Sequence, residues 1–519
     1  MKDPVRNVLF IMVDQLRWDY LSCTGHPSLK TKNIDKLASR GVLFDRTYVQ
    51  SPICGPSRMS FYTGRYVSSH RSTWLFVPLP LSERTLGDYM QANGRDFSLI
   101  GKTHFLPDLK SIERLGGLKD PEKARYAMEG GYENIARDDG LFGSGPIDTK
   151  YARYLREMGY KSPNPWHDFA NSAEGPDGEI LSGWHLRYAT EPSRVKDEHS
   201  ETAYTTDRAI DFLEDKDDQP WALHLSYIKP HWPYVVSAPY NSMYGPEDIP
   251  PVNRDISELE NPNAVYNAFV NREESKEFMR DEVREKVVPV YMGLIQQLDD
   301  HLGRLFDKLE ELGRMDDTLI VFTSDHGDYL GDHWLGDKEL FHDPSVRVST
   351  IVYDPRPEAD LTRGTRNEYL VESIDLIPTF LSALQFPEEQ EALEGRSLIP
   401  LLHGEKTQWR ELVFSELDYA FHADVRSDLG RSVNECRGYM AFDGRWKYVF
   451  WEGLDPMLFD LESDPQELLD LGKSAAHMDI RTQMRDHLFH WLRNLKDRIT
   501  VDNKFVEDWR ETNIKIGQW

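Results

Sequence analysis

The stretch Cys54-Gly55-Pro56-Ser57-Arg58 places a thiol, a proline and a cation within one helical turn, and it runs on through Met59-Ser60-Phe61-Tyr62-Thr63 to Gly64. Proline fits the first turn of a helix, where its missing N–H has no partner to lose, and glycine is a natural left-handed stop. Cys54 is therefore expected just before a helix N-terminus, where unpaired amide donors and the helix dipole favour an oxyanion. Arg58, one turn further, can fold back toward the same spot. A free cysteine alone packs as a small hydrophobe, so any chemistry must come from its neighbours.

Those neighbours are found at strand ends. Val8-Leu9-Phe10-Ile11-Met12-Val13 is a continuous apolar run of the kind expected for a strand buried on both faces, and Asp14 follows at once. Leu319-Ile320-Val321-Phe322 is a second such run, ending in Thr323-Ser324-Asp325-His326-Gly327. Open α/β sheets collect ligands at the carboxyl ends of their strands, so the two runs deliver carboxylate and imidazole groups to one edge. Lys102 and His104 alternate along an extended segment and are expected to face the same way. His231, between Pro230 and Pro233, sits in a rigid loop after the apolar run Trp221 to Tyr227; His224, inside that run, reads as a packed strand residue.

Cys-x-Pro-x-Arg resembles the signature of the sulfatases, in which the cysteine is converted to formylglycine by a formylglycine-generating enzyme. The resemblance extends over most of the chain: Asp14-Gln15, Gly101-Lys102-Thr103-His104, Lys229-Pro230-His231-Trp232-Pro233, Thr323 to Gly327, Gly331-Asp332-His333 with Lys338, and Leu458-Phe459-Asp460-Leu461-Glu462-Ser463-Asp464-Pro465. It implies the α/β fold of the alkaline phosphatase superfamily, a mostly parallel central sheet flanked by helices with a small C-terminal α+β subdomain. Cys54 to Gly64 and Tyr227 to Tyr240 resemble most the bacterial phosphonate monoester hydrolases and their arylsulfatase relatives.

By that resemblance Asp14, Gln15, Asp325, His326 and the modified Cys54 would hold one divalent metal. Carboxylate and amide oxygens suit a hard cation, and one imidazole shifts the choice from Mg²⁺ toward Mn²⁺, with Ca²⁺ also compatible. Many sulfatases have acidic residues and Asn where Gln15 and His326 stand. The implied reaction is hydrolysis of a sulfate monoester, an aryl sulfate foremost, through a covalent sulfate hemiacetal. His231 or Lys338 would protonate the leaving alcohol, His104 would take the proton that expels sulfate, and Lys102, Arg58 and Lys338 would stabilise the nonbridging oxygens. Phosphonate monoester hydrolases have Tyr and Thr where this chain has Lys102 and His104, so sulfate is preferred and phosphonate monoester or phosphodiester hydrolysis is the alternative, with cross-reactivity expected. The intact ligand set argues against a non-catalytic binding protein of the same fold.

The elements that must position these residues can also be read. A chain of 519 residues predicts a catalytic unit over about 1–405, with an insertion near 108–200 acting as a lid or oligomer contact, and a C-terminal subdomain and tail over 406–519. Apolar residues from Val287 to Leu312 recur with helical period before Gly313, with Pro289 marking a start or a kink. Asp443-Gly444-Arg445 between Gly438–Phe442 and Trp446–Trp451 predicts a hairpin, and Ile480 to Leu495 a helix. The tail from Lys496 to Trp519 is long enough to embrace a neighbour, and a homo-oligomer, dimer or tetramer, is expected. Trp74, Phe105 and the aromatic residues of the insertion suggest an apolar leaving group.

A formal charge of −27 excludes nucleic acid and anionic membrane surfaces as general partners and requires local cations for an anionic substrate. Cys23, Cys54 and Cys436 are too few and too scattered for a disulfide framework. The run Val8 to Val13 is too short for a secretion signal or a membrane span. A cytoplasmic protein is expected.

Overall fold

The computed structural model describes residues 5–514 other than 118, 141, 388–391 and 502; of the tail, 515–519 therefore lie outside the described residues. The central sheet is built from β1 (Asn7–Val13), β2 (Val42–Tyr48), β3 (Ser98–Gly101), β4 (Glu133–Arg137), β5 (Ala222–Tyr227), β6 (Thr318–Ser324), β7 (Arg347–Tyr353) and β8 (Thr365–Asn367). Their spatial order is β8-β2-β7-β6-β1-β5-β3-β4, and the short strand Val371–Glu372 also pairs with β2. All neighbours run parallel except β7, which is antiparallel to both β2 and β6.

The unbroken apolar run of β1 is explained by its central place. Phe10 and Met12 point into one core, and Leu9, Ile11 and Val13 into another, so neither face tolerates a polar residue. The second core is covered by α1 (Lys32–Arg40), α3 (Glu201–Asp215) and α4 (Asp281–Glu311); the first by α2 (Cys54–Thr63), α5 (Leu376–Ala383) and the C-terminal sheet.

Two expectations need correction or refinement. Helix α4 begins at Asp281, well before its apolar periodicity, and runs through Pro289 without stopping. Its first turns carry Asp281 and Glu282, which favour a helix N-terminus. Proline deprives only the Glu285 carbonyl of its usual partner, and Glu285 is at the surface, where water can replace it. The segment 108–200 is more than a cover, because it contributes β4, the edge strand paired with β3. An edge strand of five residues, four of them half-buried, has no clear apolar pattern to announce it. The rest of that segment has a small core around Tyr151, Leu155 and Trp166, closed by Tyr204 of α3.

The C-terminal sheet comprises β9 (Val413–Asp418), β10 (Arg437–Phe442), β11 (Trp446–Trp451) and β12 (Met457–Asp460), all antiparallel, with β10 and β11 forming the hairpin. Helix α6 (Met478–Arg493) packs Met484, Leu488 and Trp491 onto it, and Trp491 stacks flat on Phe414 with ring centroids 4.4 Å apart. The sheet is tied to the loops of the catalytic edge by Lys447. This lysine is wholly buried, and its ammonium lies 2.5 Å from Asp343 Oδ1 and 2.6 Å from Glu467 Oε1. No helix among the described residues is long and apolar enough to cross a membrane.

Candidate active site

Strands β6, β1 and β3 release their chains at one sheet edge. The Asp14 amide donates to the Tyr227 carbonyl at 3.0 Å, Asp325 N to the Val13 carbonyl at 3.3 Å, and Lys102 N to the Ser226 carbonyl at 3.1 Å. Each backbone bond continues the sheet one residue further, so the side chains leave from a rigid frame. Gly101 is obligatory here, since its φ is +96° and a Cβ would meet the Ser226 carbonyl oxygen at 1.8 Å.

Helix α2 enters against this edge with Cys54 as its first residue, and Gly64 ends it at φ +65°, as the sequence suggests. Ser57 Oγ donates to the Asp325 carbonyl at 2.5 Å. Arg58, fully buried, donates from Nε to Asp325 Oδ2 at 2.8 Å and from Nη1 to the Lys102 carbonyl and Ser226 Oγ, both at 2.8 Å. These bonds consume most of its donors and clamp α2 to three strand ends. Only Nη2 lacks a hydrogen bond, and it faces Asp14 Oδ2 at 3.6 Å. The bonds of Arg58 make it a residue that positions α2 against the strand ends.

Asp14, Cys54, Asp325 and His326 are all buried, and their ligand atoms lie within 4.8 Å of one another. Cys54 Sγ is 3.0 Å from His326 Nε2 and 3.7 Å from Asp14 Oδ1. His326 Nδ1–H donates to the Gly327 carbonyl at 2.9 Å, which turns Nε2 toward the cluster. Gln15, in left-handed backbone conformation at φ 64°, donates from Nε2 to Asp328 Oδ2 at 2.6 Å and to Asp337 Oδ1 at 2.9 Å. Two carboxylates can only accept, so they fix which way the amide faces, and Oε1 must be the atom turned toward Lys338 Nζ at 3.0 Å. Two buried carboxylates, an amide oxygen and an imidazole nitrogen make a donor set that fits one hard-to-borderline divalent cation.

The cations expected from sequence line the same centre. Lys102 forms an ion pair with Asp14, and both are completely buried. Lys338 Nζ donates to Cys54 Sγ at 3.3 Å and to His231 Nε2 at 3.1 Å, while His231 Nδ1–H donates to the Trp232 carbonyl at 2.6 Å. His104 faces the same centre, where it helps to hold the Cys54 thiol below its ordinary pKa. It arrives there by a different route from simple strand alternation. The chain leaves β3 at Gly101, His104 takes φ 53°, and the Asp139 carboxylate holds Thr103 N at 2.7 Å and His104 N at 2.9 Å. Burial alone would raise the Asp139 pKa, but Arg137, His104 and those amides bring it down to about 2.

Electrostatics follow from this crowding. Burial opposes ionisation of Cys54, yet Lys338, Lys102 and His326 overcome it and hold the thiol well below its ordinary pKa. His326 is likewise disfavoured as a cation by burial, but Asp325 and the Cys54 sulfur raise it to about 9. A metal ligand must shed that proton, so metal binding here releases one. Burial and Lys102 lower the His104 pKa and keep its imidazole neutral, the form a base requires.

Sequence reasoning missed Ser226, Asp139, Asp328 and Asp337. Asp328 directly follows Asp325-His326-Gly327 and could have been suspected there; Asp139 lies in a polar stretch with no period to place it. Trp74 and Phe105 are packing residues: Trp74 stacks on Phe421 with centroids 5.2 Å apart, and Phe105 is buried against Gly130. His333 and His342 stack on each other at 4.1 Å, with His333 Nδ1–H donating to Glu258 Oε1 at 2.7 Å. His224 is a packed strand residue, stacked on Phe10 at 4.6 Å.

Residues 6–386 match the Sulfatase family. The chain belongs to the sulfatase family. Within this sulfatase, residues 331–494 also match the family described as N-sulphoglucosamine sulphohydrolase, C-terminal. Relatives include the multifunctional alkaline phosphatase superfamily protein PehA of Trinickia caryophylli, 34% identical over 95% of this chain and 96% of that protein. An arylsulfatase of Clostridium perfringens is 26% identical over 98% and 99% of the two chains. Among solved structures, the phosphonate monoester hydrolase of Silicibacter pomeroyi superposes with a TM-score of 0.83 at 29% identity, covering 95% of this chain and 96% of its own. The protein is a hydrolase of the sulfatase family, with the alkaline-phosphatase-like fold.

Proposed function

We propose that this sulfatase hydrolyses sulfate monoesters, using a formylglycine made from Cys54 and one divalent metal held by Asp14, Gln15, Asp325, His326 and residue 54. The observation that carries the reading is the convergence of Lys102 and His104, from one strand end, on Asp14 and on Cys54. A bound cation supplies positive charge that favours the nucleophile's ionised form and neutralises the ester oxygens. A hydrated formylglycine supplies two hydroxyls on one carbon, one to displace the alcohol from sulfur and the other to expel sulfate.

The chain's own residues do the rest. Lys338, 3.3 Å from the Cys54 sulfur, is raised in pKa by Asp337 and Cys54 despite burial and stays charged over the ester. It stabilises a nonbridging oxygen and, backed by His231, brings a proton to the departing alcohol oxygen. Neutral His104 accepts the proton from the second hydroxyl. Lys102 balances the charge of Asp14, and Arg58 holds α2 against the strand ends.

Phosphonate monoester hydrolysis with the same machinery is the second reading, favoured by the likeness to PehA and to the Silicibacter enzyme. The two are separated by kcat/KM on para-nitrophenyl sulfate and on the para-nitrophenyl monoester of phenylphosphonate. The sulfate is expected to be the better substrate, and a clear phosphonate preference would reverse the order. The formylglycine-generating enzyme is the maturation partner this reading requires.

A further inference from the structure

Lys338, whose ammonium reaches the Cys54 sulfur at 3.3 Å, stands between two residues of positive φ, Asp337 at +61° and Glu339 at +100°. Neither is glycine, and side-chain-bearing residues keep such a backbone only where their surroundings enforce it. For Asp337 the enforcement is at the centre itself: its carboxylate accepts from Gln15 Nε2 at 2.9 Å and its carbonyl from Tyr329 N at 2.7 Å. Glu339 is the more strained of the two, since its φ lies beyond the left-handed well of about +50 to +70°. Its carboxylate turns to other partners.

That side chain is buried and held twice. Arg272 Nη1 donates to Oε2 at 2.5 Å and His422 Nε2–H to Oε1 at 2.8 Å, one donor for each oxygen. The donors come from separate parts of the chain. Arg272 lies between the short helices Ala264–Val270 and Glu273–Phe278, and His422 directly precedes the helix Ala423–Leu429. Each donor is itself pinned. Arg272 stands 3.3 Å from Glu274 Oε1 and 3.4 Å from Asp424 Oδ2, and the His422 ring meets Trp74 at 5.0 Å and Phe269 at 5.6 Å, both edge-on. The same helical segment supports the loop again where Ser275 Oγ accepts from Gly336 N at 3.3 Å.

Lys338 is thus carried on a turn anchored on both sides, by Asp337 at the reacting centre and by Glu339 toward the C-terminal subdomain. A lysine ammonium sits on a flexible four-carbon stem, so its aim is only as good as the backbone that carries it. Here that aim brings Nζ to 3.1 Å from His231 Nε2 and 3.0 Å from Gln15 Oε1.

We propose that Glu339 is a positioning residue for Lys338: its carboxylate, clamped by Arg272 and His422, holds the turn that aims the Lys338 ammonium at His231 and residue 54. The consequence for turnover rests on the reading of Lys338 as the group that protonates the departing alcohol, whereas the aim of the ammonium can be read without turnover. The test uses the full, formylglycine-bearing, metal-loaded enzyme and the variants Glu339→Ala, Glu339→Gly and Glu339→Gln. kcat and KM are measured over a series of substituted phenyl sulfates, from para-nitrophenol to phenol as the leaving alcohol. Crystal structures of wild type and of the alanine and glycine variants locate Lys338 Nζ.

A misplaced proton donor matters most where the departing oxygen is most basic. Glu339→Ala should therefore lower kcat for phenyl sulfate about 100-fold, the cost of roughly 1 Å of misplacement, and for para-nitrophenyl sulfate by about fivefold at most, with KM within about twofold. Glu339→Gln keeps an oxygen for Arg272 and offers an N–H to His422 Nε2 in its other tautomer, so it should return the series to within about threefold of wild type. Glycine permits this turn without enforcing it. Glu339→Gly should accordingly melt above Glu339→Ala while retaining the steep dependence on leaving group, and it carries both measurements if the alanine variant does not fold. A Lys338 ammonium still in its wild-type place in the alanine and glycine variants, or Glu339→Gly matching wild type across the series, would overturn the assignment. A displaced ammonium with the leaving-group dependence unmoved would instead sink Lys338 as the acid and leave its positioning by Glu339 standing.

Discussion

Asp328→Ala tests how the structure aims its metal ligands. Asp328 stands outside the cluster of Asp14, Cys54, Asp325 and His326; it accepts from Gln15 Nε2 at 2.6 Å and from the Tyr234 hydroxyl at 2.6 Å, and its other oxygen accepts from Leu330 N at 3.0 Å. Removing it leaves Asp337, at 2.9 Å, as the single carboxylate acceptor for the Gln15 amide. One buried N–H then lacks a partner, at a cost of about 1–3 kcal/mol, and the amide can rotate its oxygen away from the cluster. Groups that orient a ligand in this way are worth about 10–100-fold in metal affinity, or about 1.4–2.7 kcal/mol. Titrating metal-free protein with Mn²⁺ by calorimetry, in wild type, Gln15→Ala, Asp328→Ala and the double variant, reads the effect without turnover. Asp328→Ala should weaken binding by that factor alone and by no more than about twofold once Gln15 is gone, because the two act as one unit. Unchanged affinity in the single variant, or an undiminished loss in the Gln15→Ala background, would refute the orienting role.

Three further outcomes follow from other parts of the molecule. Lys447→Met strands the buried carboxylates of Asp343 and Glu467 and should destabilise the protein by about 3–5 kcal/mol in urea unfolding; a change under about 1 kcal/mol would show that the inter-sheet network is not stabilising. Glu416, buried and bonded to Ser68, is pushed from 4.5 up to about 7, chiefly by burial. A folded-state pKa above the unfolded one stabilises fully below about 4.5, and that contribution is lost as pH rises through 7. Relative to wild type, Glu416→Gln should therefore gain stability between pH 5 and pH 8, on the order of 3 kcal/mol, in melting experiments at the two pH values. His104→Ala should slow steady turnover by roughly 10²–10⁴-fold while still releasing a first equivalent of para-nitrophenol quickly; a slow first equivalent would place His104 in the first step instead.

Much of this arrangement could be read from residue order. The apolar runs of β1 and β6 are unbroken because both faces are buried, and that pattern alone places Asp14, Asp325 and His326 at one edge. Cys54 to Gly64 announced its helix through Pro56 and Gly64, whose backbone preferences act locally. Other features depend on distant partners and left no local trace. Asp139 turns the Lys102-to-His104 segment from across the β3–β4 edge, and Asp337 reaches Gln15 from more than 300 positions away. The clamp made by Arg58 left no local trace for the same reason: its acceptors, Asp325, Ser226 and the Lys102 carbonyl, gather only when three strands lie side by side. Trp184, one of the insertion's aromatic residues, meets Trp232 at a cavity wall, while Trp74 and Phe105 pack elsewhere; ring pairing across a loop and an insertion has no period to announce it.

The most direct measurement is the mass of the tryptic peptide from Thr47 to Arg58, taken together with turnover, from protein made with and without a co-expressed formylglycine-generating enzyme. The account predicts a peptide in which the cysteine –CH2SH has become an aldehyde, and para-nitrophenyl sulfate turnover that rises in proportion to the converted fraction. Full turnover from protein whose residue 54 is entirely unmodified cysteine would contradict it.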